Sequence, residues 1–126
     1  MNSTSEQNSI DISIVIPLFN EEESLGELMQ QIQDALHSHT YEVLFVDDGS
    51  SDESWNVIQD LTTKYEAVRG ISLGVNQGKS YALQAGFNEV RGLYVVTMDA
   101  DLQDDPADIL EMIARLEEGY DLVSGW

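Results

Sequence analysis

Short apolar stretches and amphipathic stretches alternate along the chain. Residues 10–17, IDISIVIP, form a β-branched run closed by a proline, which predicts a buried strand that leaves a sheet. Residues 20–39 carry apolar side chains at helical spacing, with acidic residues in the first turn, where the helix dipole favours them. The apolar positions of this predicted helix are Leu25, Leu28, Met29, Ile32, Ala35 and Leu36.

The same plan repeats three times toward the carboxyl terminus. Residues 41–65 predict a strand up to Val46, a Gly-Ser turn and a helix whose apolar face is Trp55, Ile58 and Leu61. Residues 67–90 and 92–119 predict two more strand-helix pairs, and 120–126 begin a fifth strand. This alternation favours an α/β fold with a mostly parallel sheet and helices on both faces. We assign residues 1–9 to a polar tail and 10–126 to one domain, truncated after the fifth strand.

Length and charge narrow the possible functions. The chain has 126 residues, 42% of them hydrophobic, which suits one globular domain. Its formal net charge of -19, from 24 acidic and 5 basic residues, argues against nucleic-acid partners and anionic membrane surfaces. An acidic protein can still bind an anionic phosphate compound when a divalent cation lies between them. The sequence has no cysteine and no signal peptide, so we expect a soluble, cytoplasmic chain without disulfides.

The candidate site residues follow the predicted strands, at the edge where parallel sheets bind ligands. Asp99 and Asp101 flank one small residue after the fourth strand, so both carboxylates can turn toward a common point. Such a pair, with Gln103 as a neutral oxygen ligand, suits Mg²⁺ or Mn²⁺ bound together with phosphate oxygens. The alternative is that these acids cap the next helix, a role that we assign instead to Asp104 or Asp105.

The second strand ends in VDDGSSD, residues 46–52. The Asp48 carboxylate can accept hydrogen bonds from a base or ribose, while Gly49 permits a tight turn. The alternative is a turn and a helix cap, which we assign to Ser51 and Asp52. The motif after the first strand, IPLFNEEE, is a weaker indication of a ligand site by itself, because Pro17 can simply end the strand and Asn20 can simply cap the next helix.

Residues 78–80, Gly-Lys-Ser, invite comparison with a phosphate-binding loop. The motif requires its first glycine at position 73, where Leu73 stands, so the spacing does not match. Lys79 can nevertheless meet a phosphate as a point charge, or else remain a solvated lysine in the first helical turn.

Four motifs in order, IPLFNEEESL, VDDGSSD, NQGKSYALQAGF and MDADLQDDP, resemble those of the family-two inverting glycosyltransferases. The resemblance covers about residues 11–126 and is to the branch that transfers a sugar from a nucleotide donor to a polyprenyl or dolichyl phosphate. It implies a GT-A fold, which is Rossmann-like. The implied contacts to a UDP- or GDP-linked sugar are Pro17, Phe19, Glu21, Asp48, Lys79 and Asp99; the implied metal site is Asp99, Asp101 and Gln103, with Asp99 and Asp101 as the catalytic pair.

The resemblance also implies what the chain does not contain. Val75 stands where many members carry a basic residue, which leaves Lys79 as the cation of its loop. We expect the chain to be the donor-binding portion of a longer enzyme, inactive alone and able to self-associate through its exposed sheet. The whole protein would lie on the cytoplasmic face of the membrane and take part in cell-envelope glycan synthesis.

Two rival classes are a phosphorylation receiver domain, opposed by the absence of a lysine after Lys79, and a phosphate-loop nucleotidase.

Overall fold

The computed structural model describes residues 9–117, which form four strands and four helices in strict alternation. The elements are β1 (Ile10–Leu18), α1 (Leu25–Leu36), β2 (Tyr41–Asp47), α2 (Ser54–Lys64), β3 (Val68–Ser72), α3 (Lys79–Phe87), β4 (Gly92–Thr97) and α4 (Ala107–Glu117). The four predicted strand-helix pairs are therefore confirmed. The predicted fifth strand, and residues 1–8 of the predicted tail, lie outside the described residues.

The four strands form one parallel sheet in the order β3-β2-β1-β4. The chain first steps outward from β1 to β3 and then returns past β1 to add β4 on the other side. The order matches half of a Rossmann sheet, and it differs from the 2-1-3 arrangement of the flavodoxin-like sheets to which receiver domains belong. The strand order reverses between β1 and β4, so a ligand crevice is expected at the carboxyl ends of these two strands.

Helices pack on both faces of the sheet, as predicted. Alternate residues of β1 and β2, such as Ile14 and Phe45, pack with α1, α2 and α4 in the larger core cluster. On the opposite face, α3 packs Ala82 against Val15 and Val46. Helix α3 lies close to the sheet at Gly86, where an added Cβ would stand 2.4 Å from a Val15 methyl group.

A buried carboxylate joins all four strands at the amino edge of the sheet. Glu42 of β2 accepts hydrogen bonds from Ser13 Oγ of β1 at 2.6 Å, from the Arg91 backbone at 2.8 Å and from the Arg69 guanidinium of β3 at 3.0 Å. Ser13 Oγ in turn accepts a hydrogen bond from the Gly92 backbone at the start of β4. This network stabilises the edge opposite the expected ligand crevice.

Strand β4 lies at one edge of the described sheet and carries exposed apolar side chains. Leu93 is 75% exposed and Val95 is 42% exposed, on the face where α3 packs mainly against β1 and β2. Within residues 9–117, β4 therefore presents apolar side chains at its surface, and self-association through them stays a prediction. None of the four helices within residues 9–117 has the length and apolarity that crossing a bilayer requires.

Candidate functional site

A cavity of about 310 Å³ opens at the carboxyl ends of β1 and β4, where the strand order reverses. Its volume is at the lower end of the range typical of ligand pockets. Its lining is Pro17, Leu18, Phe19, Glu21, Asp48, Lys79, Asp99, Ala100 and Asp101. The fold thus brings together seven of the eight residues proposed from the sequence. The exception is Gln103, which is exposed and is not among the lining residues of this cavity.

The first wall of the cavity is the loop after β1. The Phe19 ring is 46% exposed, which leaves an aromatic face free for a planar ligand group. The backbone of Glu21 donates a hydrogen bond to Ser54 Oγ at 2.9 Å, which fixes this loop to the start of α2.

Asn20 has a role that the sequence did not reveal. It adopts a positive φ of 55°, and its side-chain oxygen accepts hydrogen bonds from the backbones of Ser51 and Asp52 at 2.8 and 3.2 Å. Asn20 therefore joins the first and second loops, and helix α1 begins after Ser24 with no side-chain cap. The available signal was the tolerance of asparagine for the left-handed region, which is too general to identify a partner.

Ser24 is a second residue that sequence reasoning missed. Its hydroxyl lies 2.7 Å from the carbonyl oxygen of Ala100, so the start of α1 is tied to the loop that carries Asp99 and Asp101. The partners are 76 residues apart in the chain. A serine at a helix start is common for local reasons, so nothing in the sequence pointed to this contact.

Asp48 organises the loop that precedes α3. Its carboxylate is buried and accepts hydrogen bonds from the backbones of Gln77 at 2.6 Å and Gly78 at 3.0 Å, and from Asn76 Nδ2 at 3.3 Å. Gly49 allows the two loops to meet, because an added Cβ would lie 2.4 Å from the Asn76 nitrogen. Asp48 also lines the cavity, so this arrangement gives it a structural role beside the ligand contact proposed from the sequence.

The same contacts weigh against the phosphate-loop interpretation. A phosphate-binding loop presents its backbone N–H groups to the ligand. Here the N–H groups of Gln77 and Gly78 donate to the protein's own Asp48 carboxylate. The loop is therefore already filled by an internal anion.

Lys79 and Asp99 form an ion pair across the cavity. The Lys79 ammonium, at the first position of α3, lies 2.9 Å from Asp99 Oδ1. The two side chains are 63% and 50% exposed, so the pair stands in a solvated, high-dielectric position. All five Lys and Arg residues lie in the described part of the chain, and Lys79 is the one that lines this cavity. It faces four carboxylates, those of Glu21, Asp48, Asp99 and Asp101.

The loop after β4 holds its acids in distinct ways. Asp101 Oδ1 accepts a hydrogen bond from the Gln103 backbone at 3.2 Å, and Asp104 Oδ2 accepts one from the Asp99 backbone at 3.3 Å. Asp105 Oδ1 accepts one from the Ala107 backbone at 2.9 Å, which confirms the predicted helix cap. Asp99 and Asp101 are both exposed at the cavity and keep oxygens available to a ligand.

This geometry fits a divalent cation that shares its ligands with a bound phosphate compound. Within residues 9–117, no group of three or more Asp, Glu or His side chains is placed to hold a metal by itself. Asp99 and Asp101 can supply two carboxylates, which is the number that Mg²⁺ and related ions use when substrate phosphates and water complete the shell.

Asp52 lies one residue before the N-cap position of α2, which Glu53 occupies without a side-chain cap hydrogen bond, so the predicted cap was placed one residue too early. Its Oδ1 accepts a hydrogen bond from the Ser54 backbone at 2.9 Å, and its Oδ2 accepts one from the Glu22 backbone at 3.3 Å. Desolvation pushes the pKa of Asp52 upward, but the hydrogen bonds from Ser54 and Glu22 outweigh it and hold the pKa below its ordinary value of 3.8. Asp52 is therefore a structural carboxylate at the margin of the site.

Comparisons with known proteins agree with this architecture. The profile described as "Glycosyl transferase family 2" matches residues 13–126. The chain is 44% identical over 115 residues to the undecaprenyl-phosphate 4-deoxy-4-formamido-L-arabinose transferase of Pseudomonas fluorescens, covering 89% of the chain and 34% of that protein. It is 41% identical over 122 residues to the dodecaprenyl-phosphate galacturonate synthase of Rhizobium johnstonii, covering 94% of the chain and 36% of that protein. The chain thus spans about a third of the length of these curated relatives.

A solved structure with the same fold is the mannosyltransferase of Pyrobaculum calidifontis in complex with GDP-Man and Mn²⁺. The TM-score is 0.69 at 22% identity, over 81% of this chain and 30% of that one. This likeness shows the GT-A fold.

Proposed function

The chain belongs to glycosyl transferase family 2, and we propose that it forms the donor-binding part of an enzyme that transfers a sugar from a nucleotide-sugar to a polyprenyl phosphate. The names of both curated relatives described above combine a polyprenyl phosphate with a sugar or sugar acid. The observation that carries the proposal is the cavity between β1 and β4, which collects the ends of three strands and the Asp99–Asp101 pair.

The nucleoside and the diphosphate of the donor would occupy different parts of the cavity. Phe19 and Pro17 line the side formed by β1, where a nucleoside would lie against the Phe19 ring, with Glu21 and Asp48 as polar contacts. Asp99, Asp101 and Lys79 line the other side, where the donor diphosphate would lie. We assign Gln103 to the same loop as a further oxygen ligand.

A divalent ion, Mg²⁺ or Mn²⁺, would be held by Asp99 and Asp101 together with diphosphate oxygens. When bound, it supplies a positive charge that offsets the four carboxylates of the cavity and stabilises the departing nucleoside diphosphate. The Pyrobaculum mannosyltransferase was solved with Mn²⁺, which supports this assignment by analogy.

The reaction we propose is a single displacement. An oxygen of the lipid phosphate attacks the anomeric carbon of the sugar, the bond from that carbon to the donor diphosphate breaks, and the configuration inverts. A phosphate monoester is already ionised near neutral pH, since its second pKa is about 6, so no strong general base is needed. Orientation of the donor by the cavity residues would supply most of the catalysis.

The acceptor side needs more cations than Lys79, the one that this chain places at the cavity. Arg69 pairs with Glu42 at the opposite edge, Arg91 lies beside it, and Arg115 pairs with Glu111 on α4. Lys79 alone among the Lys and Arg residues lines the cavity. We therefore propose that the lipid phosphate is bound by residues beyond these 126, in a whole protein that works at the cytoplasmic face of a membrane.

The test combines binding with transfer. We expect the 126-residue chain to bind UDP or GDP in calorimetric titrations with Mn²⁺, and to lose that binding when the metal is chelated. Supplied with sugar nucleotide, Mn²⁺ and polyprenyl phosphate, the chain alone is expected to form no glycolipid, whereas a chain extended by the following natural segments forms it. Equal nucleotide affinity after chelation would contradict the metal assignment, and turnover by the 126-residue chain would contradict the placement of the acceptor site.

A further inference from the structure

We propose that Lys79 is an internal competitor for the metal: its ammonium occupies Asp99 until nucleotide binds, and then moves to the nucleotide's phosphates. The inference rests on the proposed function, since it concerns the same cavity. It assigns to one lysine two opposite effects, one against the metal alone and one in favour of the metal with nucleotide.

The Lys79 ammonium and the Asp99 carboxylate are in direct contact. Lys79 Nζ lies 2.9 Å from Asp99 Oδ1, so one oxygen of the proposed metal ligand is already bound to a cation. A divalent ion that uses this oxygen must displace the ammonium, and one that uses the other oxygen must tolerate a positive charge a few ångströms away. Either route weakens binding of the metal alone.

The ion pair between Lys79 and Asp99 is easily broken. The Lys79 and Asp99 side chains are 63% and 50% exposed, and ion pairs in such positions contribute little. The lysine ammonium is a compact charge on a flexible four-carbon stem, so it can change partner without moving the backbone. Competition is therefore expected to be modest and reversible.

The backbone of Lys79 is fixed near the place where the phosphates would lie. Asp48 holds the two preceding residues, Gln77 and Gly78, through their N–H groups at 2.6 and 3.0 Å. Lys79 itself lines the cavity with Asp101. An ammonium released from Asp99 can therefore reach an anion bound in the same cavity and form a charge-assisted hydrogen bond with it.

The consequence is a coupling between metal and nucleotide that depends on Lys79. Each ligand raises the affinity for the other by the same factor, because coupling free energies are reciprocal. Direct coordination of the diphosphate by the metal gives one part of the coupling. Release of Lys79 from Asp99 to the phosphates gives a further part, which a Lys79→Met variant removes.

The experiment measures Mn²⁺ binding to the 126-residue chain by the electron paramagnetic resonance signal of the free ion, with and without UDP or GDP. We expect Lys79→Met to bind Mn²⁺ alone about two- to fivefold more tightly than wild type, and to bind the nucleotide at saturating Mn²⁺ about tenfold more weakly. The matched control is Lys64→Met, which removes the same charge from an exposed lysine whose ammonium lies over the Tyr65 ring at the end of α2. The control separates the local contact from the effect of net charge.

A second background tests whether the effect passes through Asp99. In an Asp99→Asn chain, the gain in affinity for Mn²⁺ alone that Lys79→Met gives over Lys64→Met is expected to shrink, because the ion pair is already lost and only the repulsion between ammonium and metal remains. The proposal is overturned if Lys79→Met and Lys64→Met bind Mn²⁺ equally, or if Lys79→Met leaves nucleotide affinity at saturating Mn²⁺ unchanged. Failure of the wild-type chain to bind either nucleotide would instead contradict the proposed function, while the comparison with metal alone would still decide the competition.

Discussion

Asp48→Asn separates two roles that one carboxylate could have. As the anchor of the loop before α3, Asp48 accepts two backbone hydrogen bonds, from Gln77 and Gly78, while it is only 5% exposed. As a nucleoside contact, it would matter only when ligand is present. The substitution keeps the shape of the side chain but replaces one acceptor oxygen with an NH₂ group that faces a backbone N–H.

The magnitude follows from these contacts. Losing one charge-assisted bond and leaving a buried N–H unsatisfied costs about 1–3 kcal/mol, and weakening the other bond from charged to neutral adds about 1 kcal/mol. Relief of repulsion with the adjacent, buried Asp47 offsets part of this cost. We therefore expect the free energy of unfolding, measured by urea denaturation without ligand, to fall by about 2 kcal/mol.

The matched comparison is Asp101→Asn, an identical chemical change at an exposed lining residue. There we expect unchanged unfolding and weaker metal-dependent nucleotide binding. If the free energy of unfolding of Asp48→Asn lies within about 0.5 kcal/mol of the wild-type value, which is the range of ordinary surface substitutions, the loop-anchor role is refuted. If it then also binds UDP and GDP less tightly, the ligand-contact role alone remains.

Three further predictions concern other carboxylates. Asp101→Asn is expected to weaken Mn²⁺-dependent nucleotide binding by on the order of 1–3 kcal/mol in calorimetric titrations, with the exposed Asp60→Asn as the control that should change nothing. Asp52→Asn is expected to leave that binding almost unchanged and to lower the free energy of unfolding by less than about 1 kcal/mol, because an asparagine oxygen can keep the bond from Ser54 while the bond from Glu22 is lost. Because the folded-state pKa of Asp52 is lowered, the stability contributed by its ionised form is fully present above the unfolded-state pKa and is lost as the pH falls through the folded-state value, which denaturation from neutral to acidic pH can check. Glu42→Ala is expected to destabilise the chain by about 3 kcal/mol in urea denaturation, because it leaves Arg69 without its buried partner, whereas the exposed Glu89→Ala should change stability by less than about 0.5 kcal/mol.

Local patterns were sufficient to predict the elements and the edge at which the site lies. The apolar spacing of α1 predicted its buried residues, and five of the six named positions are fully buried, with Ala35 partly so. The placement of Asp99 and Asp101 at the ligand edge followed from their position directly after a strand, because parallel strands end at the same edge. The alternation of strands and helices could not predict the order β3-β2-β1-β4, since it does not say which strands pair.

Contacts between loops were beyond the reach of the sequence. Asp48 meets Gln77 and Gly78 across 29 and 30 residues, and Asn20 meets Ser51 across 31. Each of these side chains also has an adequate local explanation as a turn or cap residue, so composition alone gives no reason to look further. Only the strand order, which brings the loops after β1, β2 and β3 side by side, makes these partners available.

The acidity of the site divides according to what each carboxylate touches. The carboxylates of Asp48 and Asp52 accept hydrogen bonds from backbone N–H groups, so the protein itself already offsets much of their negative charge. Asp99 and Asp101 are exposed, and within residues 9–117 the ammonium that pairs with Asp99 is the weakly held Lys79. An anionic donor entering the cavity would therefore meet negative charge at the end of β4 that the protein itself hardly offsets, and we propose that a divalent cation changes repulsion into attraction there. We expect the loop after β4, which repels phosphate in the absence of metal, to make phosphate binding by this chain depend on a divalent cation.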